Sequence, residues 1–105
     1  MADYKYLILE HWRMQEGVSG NELIQAFRAA EKELAPIMDR CGVQKPSESV
    51  FAFPFAGCRE MHIIYKVESL DRWMEYYSDN VTLRITQKIA ERYMGDMSTE
   101  ICQLA

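Results

Sequence analysis

Two histidines, His11 and His62, are the side chains whose charge changes nearest neutral pH. His11 stands late in an alternating apolar run, YKYLILEHWRM, from Tyr4 to Met14. With Leu9 and His11 turned toward the helices and Tyr65 on a neighbouring strand, His11 is the best catalytic candidate. There it could act as general base, or orient a carbonyl or carboxylate. The competing reading is a half-exposed strand-end histidine bonded to backbone. His62 has Glu10 and Glu100 as prospective neighbours, and a histidine with two carboxylates is metal-ligand chemistry. Those three residues come from three strands without local ligand spacing. The expectation is therefore a polar cluster at an interface and no metal site.

Aromatic residues supply the second set of candidates. Trp73, Tyr76 and Tyr77 crowd one helix start, and Phe51, Phe53 and Phe55 stack along one strand. They could line a pocket for an apolar or flat ligand, or form ordinary core. Seven methionines suit either, because thioether chains adapt to irregular shapes. Arg84 could pair with a ligand carboxylate, or simply sit on a solvated face. Cys41, Cys58 and Cys102 are odd in number and lack CxxC spacing, which reads as inert reduced thiols in a cytoplasmic protein.

Composition narrows the classes. At 105 residues the chain is expected to be a single domain over 1–105. It is 49% hydrophobic and 27% charged, an ordinary globular balance. The net charge of −4 offers no basic stripe for phosphates, so no nucleic-acid partner is expected. No apolar run is long enough for a membrane span, and MADYKYLILE lacks the basic start of a signal peptide.

The elements that position these residues follow from spacing. Tyr4–Met14 alternates as a strand, with both faces apolar through its middle. Ser19 and Glu22 have capping-box spacing before a helix carrying Leu23, Phe27, Ala30, Leu34, Ile37 and Cys41 on one face. Pro36 should kink that helix, and Gly42 should end it. Val43–Ala56 reads as a second strand, at an edge because of Pro54. Gly57-Cys58-Arg59 reads as a hairpin connection into a third strand, Met61–Val67. Ser69 caps a helix facing inward with Leu70, Trp73, Met74 and Tyr77. Ser78-Asp79-Asn80 interrupts it, Val81, Ile85 and Ile89 continue it, and Gly95 should stop it. Met97–Leu104 is the fourth strand.

The order β-α-β-β-α-β is the ferredoxin-like α+β pattern: a four-stranded antiparallel sheet with both helices on one face. The other face is then open, and the reading places Tyr6, Ile8, Trp12 and Ile64 there. A second copy should cover it sheet to sheet, giving a homodimer and an α+β barrel.

Ile63-Ile64-Tyr65-Lys66-Val67-Glu68-Ser69-Leu70-Asp71-Arg72-Trp73, running on to Tyr77-Ser78-Asp79, carries a resemblance over nearly the whole chain. The strand ends in a Glu-Ser pair, and a serine break divides the helix that follows. It resembles the dimeric α+β barrel superfamily, in its antibiotic-biosynthesis-monooxygenase-like branch or an uncharacterised relative. The resemblance implies a pocket inside each subunit, between sheet and helices. It also implies chemistry without a cofactor, as monooxygenase or isomerase. In the haem-degrading branch a polar residue sits where His11 stands, but the stretch holding a haem-ligating histidine there has only Ile85 here. No cofactor is therefore expected. The candidate ligand-binding set is Leu9, His11, Phe27, Phe53, Tyr65, Trp73, Tyr77, Arg84 and Ile85. The expected ligand is small and apolar, elongated, aromatic or fatty-acid-like. The alternative is a non-catalytic dimeric binding or sensing module. A Trp- and Tyr-lined void with a polar end favours the pocket. A cavity closed by Phe27, Trp73 and Phe53 favours the alternative.

Overall fold

The computed structural model describes residues 3–54 and 59–105. Four strands, β1 (Tyr6–Met14), β2 (Val50–Ala52), β3 (Glu60–Val67) and β4 (Met94–Gln103), form one antiparallel sheet in the order β2-β3-β1-β4. Three helices accompany it: α1 (Gly20–Cys41), α2 (Leu70–Ser78) and α3 (Asn80–Tyr93). This is the ferredoxin-like βαββαβ arrangement, with the second helical layer split in two. β2 is an edge strand, as Pro54 implies, but of the expected Val43–Ala56 only Val50–Ala52 forms it among the described residues: Val43 makes a lone bridge to Val67, and Pro46–Glu48 winds into a short 3-10 helix. Phe55 and the expected turn at Gly57-Cys58 lie outside the described residues.

Local chemistry sets the helix ends. Ser19 Oγ accepts the Glu22 N–H, and the Glu22 carboxylate accepts the Ser19 N–H, which completes the capping box. Ser69 Oγ accepts the Arg72 N–H at the start of α2. Asp79 ends α2 and accepts the Val81 N–H to start α3, so the polar triplet divides the helix as its composition implies. The first helix runs through Pro36 and ends at Gly42, whose φ of 65° is left-handed. A Cβ there would also run into the Glu68 carboxylate. Gly42→Ala is expected to cost about 1–2 kcal/mol, read as a lower urea midpoint at unchanged slope.

The core contains Ile8, Trp12 and Met14 of β1, Met61, Ile63, Tyr65 and Val67 of β3, and Leu23, Leu34, Ile37, Trp73, Ile85 and Ile89 from the helices. Thr82 is fully buried in α3, and among the described residues its Oγ1 has no hydrogen-bond partner. Thr82→Val keeps the shape and removes the orphaned hydroxyl. It is expected to raise stability by about 1 kcal/mol, seen as a higher melting temperature.

Three expectations are corrected. The first concerns the faces of β1. Ile8, Glu10, Trp12 and Met14 are the buried set and face the helices, while Leu7, Leu9, His11 and Arg13 face the other way. The register agrees, because Ile8 lies opposite buried Tyr65 and Trp12 opposite buried Met61. The open face is therefore built from Leu7, Leu9, His11, His62 and Ile64, not from Tyr6, Ile8 and Trp12, although Ile64 stands there as expected. Second, Tyr76 rather than Met74 turns inward from α2; Met74 is exposed. Third, Gly95 does not end the last helix: the chain turns extended at Met94, and Gly95 lies inside β4.

Candidate functional site

The alternation of β1 turns Glu10 toward the helices between Ile8 and Trp12, and it is only 4% exposed. A buried carboxylate is tolerated only where donors replace its water. Here Trp12 Nε1–H donates to Glu10 Oε1 at 2.8 Å. The Tyr65 hydroxyl donates to Oε2 at 2.6 Å, and the Tyr77 hydroxyl donates to the same oxygen. Behind them, Trp73 Nε1–H donates to the Tyr65 oxygen at 3.0 Å, and the two tyrosine oxygens are 3.2 Å apart. The Trp73 ring meets the Tyr77 ring edge to face at 5.1 Å. Three donors on one carboxyl group suit its acceptor-only, ionised form.

The tyrosines respond to that setting. Burial, and then the negative charge of Glu10, push the Tyr65 and Tyr77 hydroxyls well above the usual phenol range. Tyr76 is shifted the same way, by burial first and Glu10 second. All three stay protonated at any pH near neutrality.

This cluster forms one wall of a cavity of about 220 Å³ between sheet and helices. The rest of the lining is largely apolar: Trp12 and Ile63 from the sheet, Phe27 and Met38 from α1, Phe51 from β2, and Ala90 from α3. Trp12 and Phe27 pack edge to face at 5.2 Å.

The sequence candidates divide around this cavity. Phe27, Tyr65 and Tyr77 line it. Trp73 stands one hydrogen bond behind it, through Tyr65. Ile85 is buried in α3 but is not part of the lining. Phe53 is 42% exposed beside Gly20. Arg84 is exposed and pairs with Glu33 at 3.1 Å. Leu9 and His11 lie on the opposite face of the sheet. His11 Nε2 is 3.2 Å from Glu100 Oε1, and its ring meets the His62 ring edge-on at 4.5 Å. Glu10 is on the other side and does not join that pair. Among the described residues no group of three His, Cys, Asp or Glu side chains is arranged to hold a metal.

Glu10 is the site residue that the sequence reading places only beside His62. The signal was present: a carboxylate in the middle of a strand apolar on both faces needs partners, and Trp12, Tyr65 and Tyr77 have protons to give.

No protein-family model matches the sequence, and no curated relative matches it. Solved structures do. A NIPSNAP-family protein of unknown function from Agrobacterium tumefaciens matches with a TM-score of 0.66 at 17% identity, over 97% of this chain and 89% of that one. A dimeric ferredoxin-like protein of unknown function from Thermobifida fusca matches at 0.64 and 14%, over 99% and 95%. A dimeric protein of unknown function with a ferredoxin-like fold, from Bacteroides fragilis, matches at 0.63 and 8%, over 97% and 100%. At such identities the likeness speaks to architecture, and it agrees with the sequence resemblance at that level: the chain has the ferredoxin-like α+β fold.

Proposed function

We propose that the chain is a homodimer in which each protomer holds a small, mostly apolar ligand between sheet and helices. The observation that carries this reading is the cavity itself. It is walled by Trp, Tyr and Phe rings and has one polar end, at Glu10, which is the arrangement of a ligand site rather than of a filled core. Its size, below the ~300 Å³ at which drug-sized pockets begin, suits a ligand of one or two rings. A fatty-acid-like ligand with its head at Glu10 is disfavoured, because two carboxylates would meet there.

Holding a ligand fits better than turning one over by oxygenation or isomerisation. The Glu10 oxygens are engaged by three hydrogen bonds, and burial holds the protons of the tyrosines beside it. His11, the base expected from the sequence, faces away from the cavity.

The second copy is argued from the open face. Leu7, Leu9 and Ile64 lie at its centre on β1 and β3, beside His11 and His62. The sheet face is roughly 400 Å², the scale at which exposed apolar area marks an interface, and among the described residues no helix covers it. The Thermobifida fusca and Bacteroides fragilis proteins are described as dimeric. Cys41 and Cys102 are free thiols, which suits a reducing, cytoplasmic setting.

Titration with 1-naphthol tests the pocket, since Trp12 lines the cavity and Trp73 adjoins it. Saturable quenching of tryptophan fluorescence at one ligand per protomer is expected, and no saturable response overturns the pocket. Sedimentation equilibrium tests the dimer. The dimer mass is expected at micromolar protein, with Leu9→Lys giving monomers; a wild-type monomer overturns the pairing.

A further inference from the structure

We propose that the Glu10 end of the cavity selects a cationic nitrogen, so that the ligand is a small aryl-alkyl ammonium compound; this rests on the pocket reading above. The argument begins with charge. Glu10 is buried, yet among the described residues none of the ion pairs involves it. Its three partners, Trp12, Tyr65 and Tyr77, are neutral donors. They solvate a charge without cancelling it, and a buried charge without a counter-charge is costly to keep.

Counting lone pairs gives the direction of the missing contact. Oε2 accepts two protons and is full, whereas Oε1 accepts only one and has a lone pair left. The Tyr65 and Tyr77 protons are both committed to Glu10, as is the indole proton of Trp12, and Trp73 gives its own to Tyr65. Farther along the wall, the hydroxyl protons of Ser49 and Thr86 go to the carbonyls of Lys45 and Thr82. The protons of Tyr65, Tyr77 and both indoles are therefore committed, that of Tyr76 is not, and among the described residues Glu10 supplies the one charge in the lining. A ligand carboxylate meets like charge at Glu10, while an ammonium finds an anion with an open lone pair.

The surroundings suit the rest of such a ligand. Trp12, Phe27, Tyr76 and Tyr77 surround the space next to Glu10, and aromatic faces attract cations, most strongly when water is excluded. The apolar walls then hold the aryl-alkyl body.

Calorimetric titration of the wild-type protein at pH 7 with three probes of matched size is the test: 2-phenylethylamine, 2-phenylethanol and 3-phenylpropanoate. The amine is expected to bind about tenfold more tightly than the alcohol, equal to about 1.4 kcal/mol, and the carboxylate is expected to show no heat of binding. Glu10→Gln keeps an acceptor oxygen but removes the charge, and should bring the amine-to-alcohol ratio to about one. Equal affinity of amine and alcohol in the wild type, or preference for the alcohol, overturns the cation while leaving the pocket standing. If none of the three probes binds, and 1-naphthol fails as well, both readings fall. The wild-type series decides the matter even if the variant does not fold.

Discussion

Replacing Glu10 with alanine is expected to remove about 5 kcal/mol of stability, a large fraction of the ~5–15 kcal/mol that holds a typical domain together. The substitution leaves three buried donors without an acceptor: Trp12 Nε1–H and the hydroxyls of Tyr65 and Tyr77. Each orphaned donor costs about 1–3 kcal/mol. The lost side chain also leaves a void where the tyrosine rings converge. Tyr77→Phe is the contrasting variant. It removes one donor and leaves the carboxylate with two, so about 2 kcal/mol is expected. Urea unfolding followed by circular dichroism measures both. A Glu10→Ala protein within 1 kcal/mol of the wild type would show that the cluster does not hold the fold.

Alkaline solution is expected to unfold the protein steeply. Tyr65, Tyr76 and Tyr77 all have hydroxyls raised above the ordinary phenol value of 10.0, through burial first and the Glu10 charge second. In the unfolded chain they ionise near that value, while in the fold they remain protonated. Above pH 10 the folded state thus binds more protons, so stability is complete below that pH and falls as pH rises. Each such tyrosine contributes a loss of about 1.4 kcal/mol per pH unit, so the three together remove about 4 kcal/mol by pH 11. Urea midpoints at pH 9 and pH 11 read this directly. Equal midpoints would mean that the three hydroxyls ionise in the fold as readily as in the unfolded chain.

Element order was legible in the sequence because each boundary carried its own chemistry. Ser19 with Glu22, Ser69, Asp79 and Gly42 each act where their side chains or backbone freedom predict. The faces of β1 were not legible. Polarity decides which side of a strand is buried, and the apolar residues of β1 occur on both. Glu10 pointed the wrong way under that logic: a carboxylate suggests water, yet two of its three partners stand on β3 and α2, more than fifty residues along the chain. His11 was misplaced with it, since neighbours in a strand take opposite sides. Phe27, Tyr65 and Tyr77 line one cavity, because packing at helix and strand period requires no knowledge of a distant partner. Arg84 and Phe53 depended on how far α3 and β2 lie from that cavity, which spacing along the chain does not encode.

β1 presents Glu10 and Trp12 to the cavity and Leu9 and His11 to the opposite side, so two molecular surfaces share one ribbon of backbone. A guest that tilted that ribbon would shift its reverse face with it. Thermodynamic linkage then makes the influence mutual: if guest uptake tightens self-association by some factor, self-association tightens guest uptake by the same factor. Measured affinities for the guest would in that case vary with protein concentration, and a titration performed at nanomolar and at micromolar chain would give different answers for the same molecule.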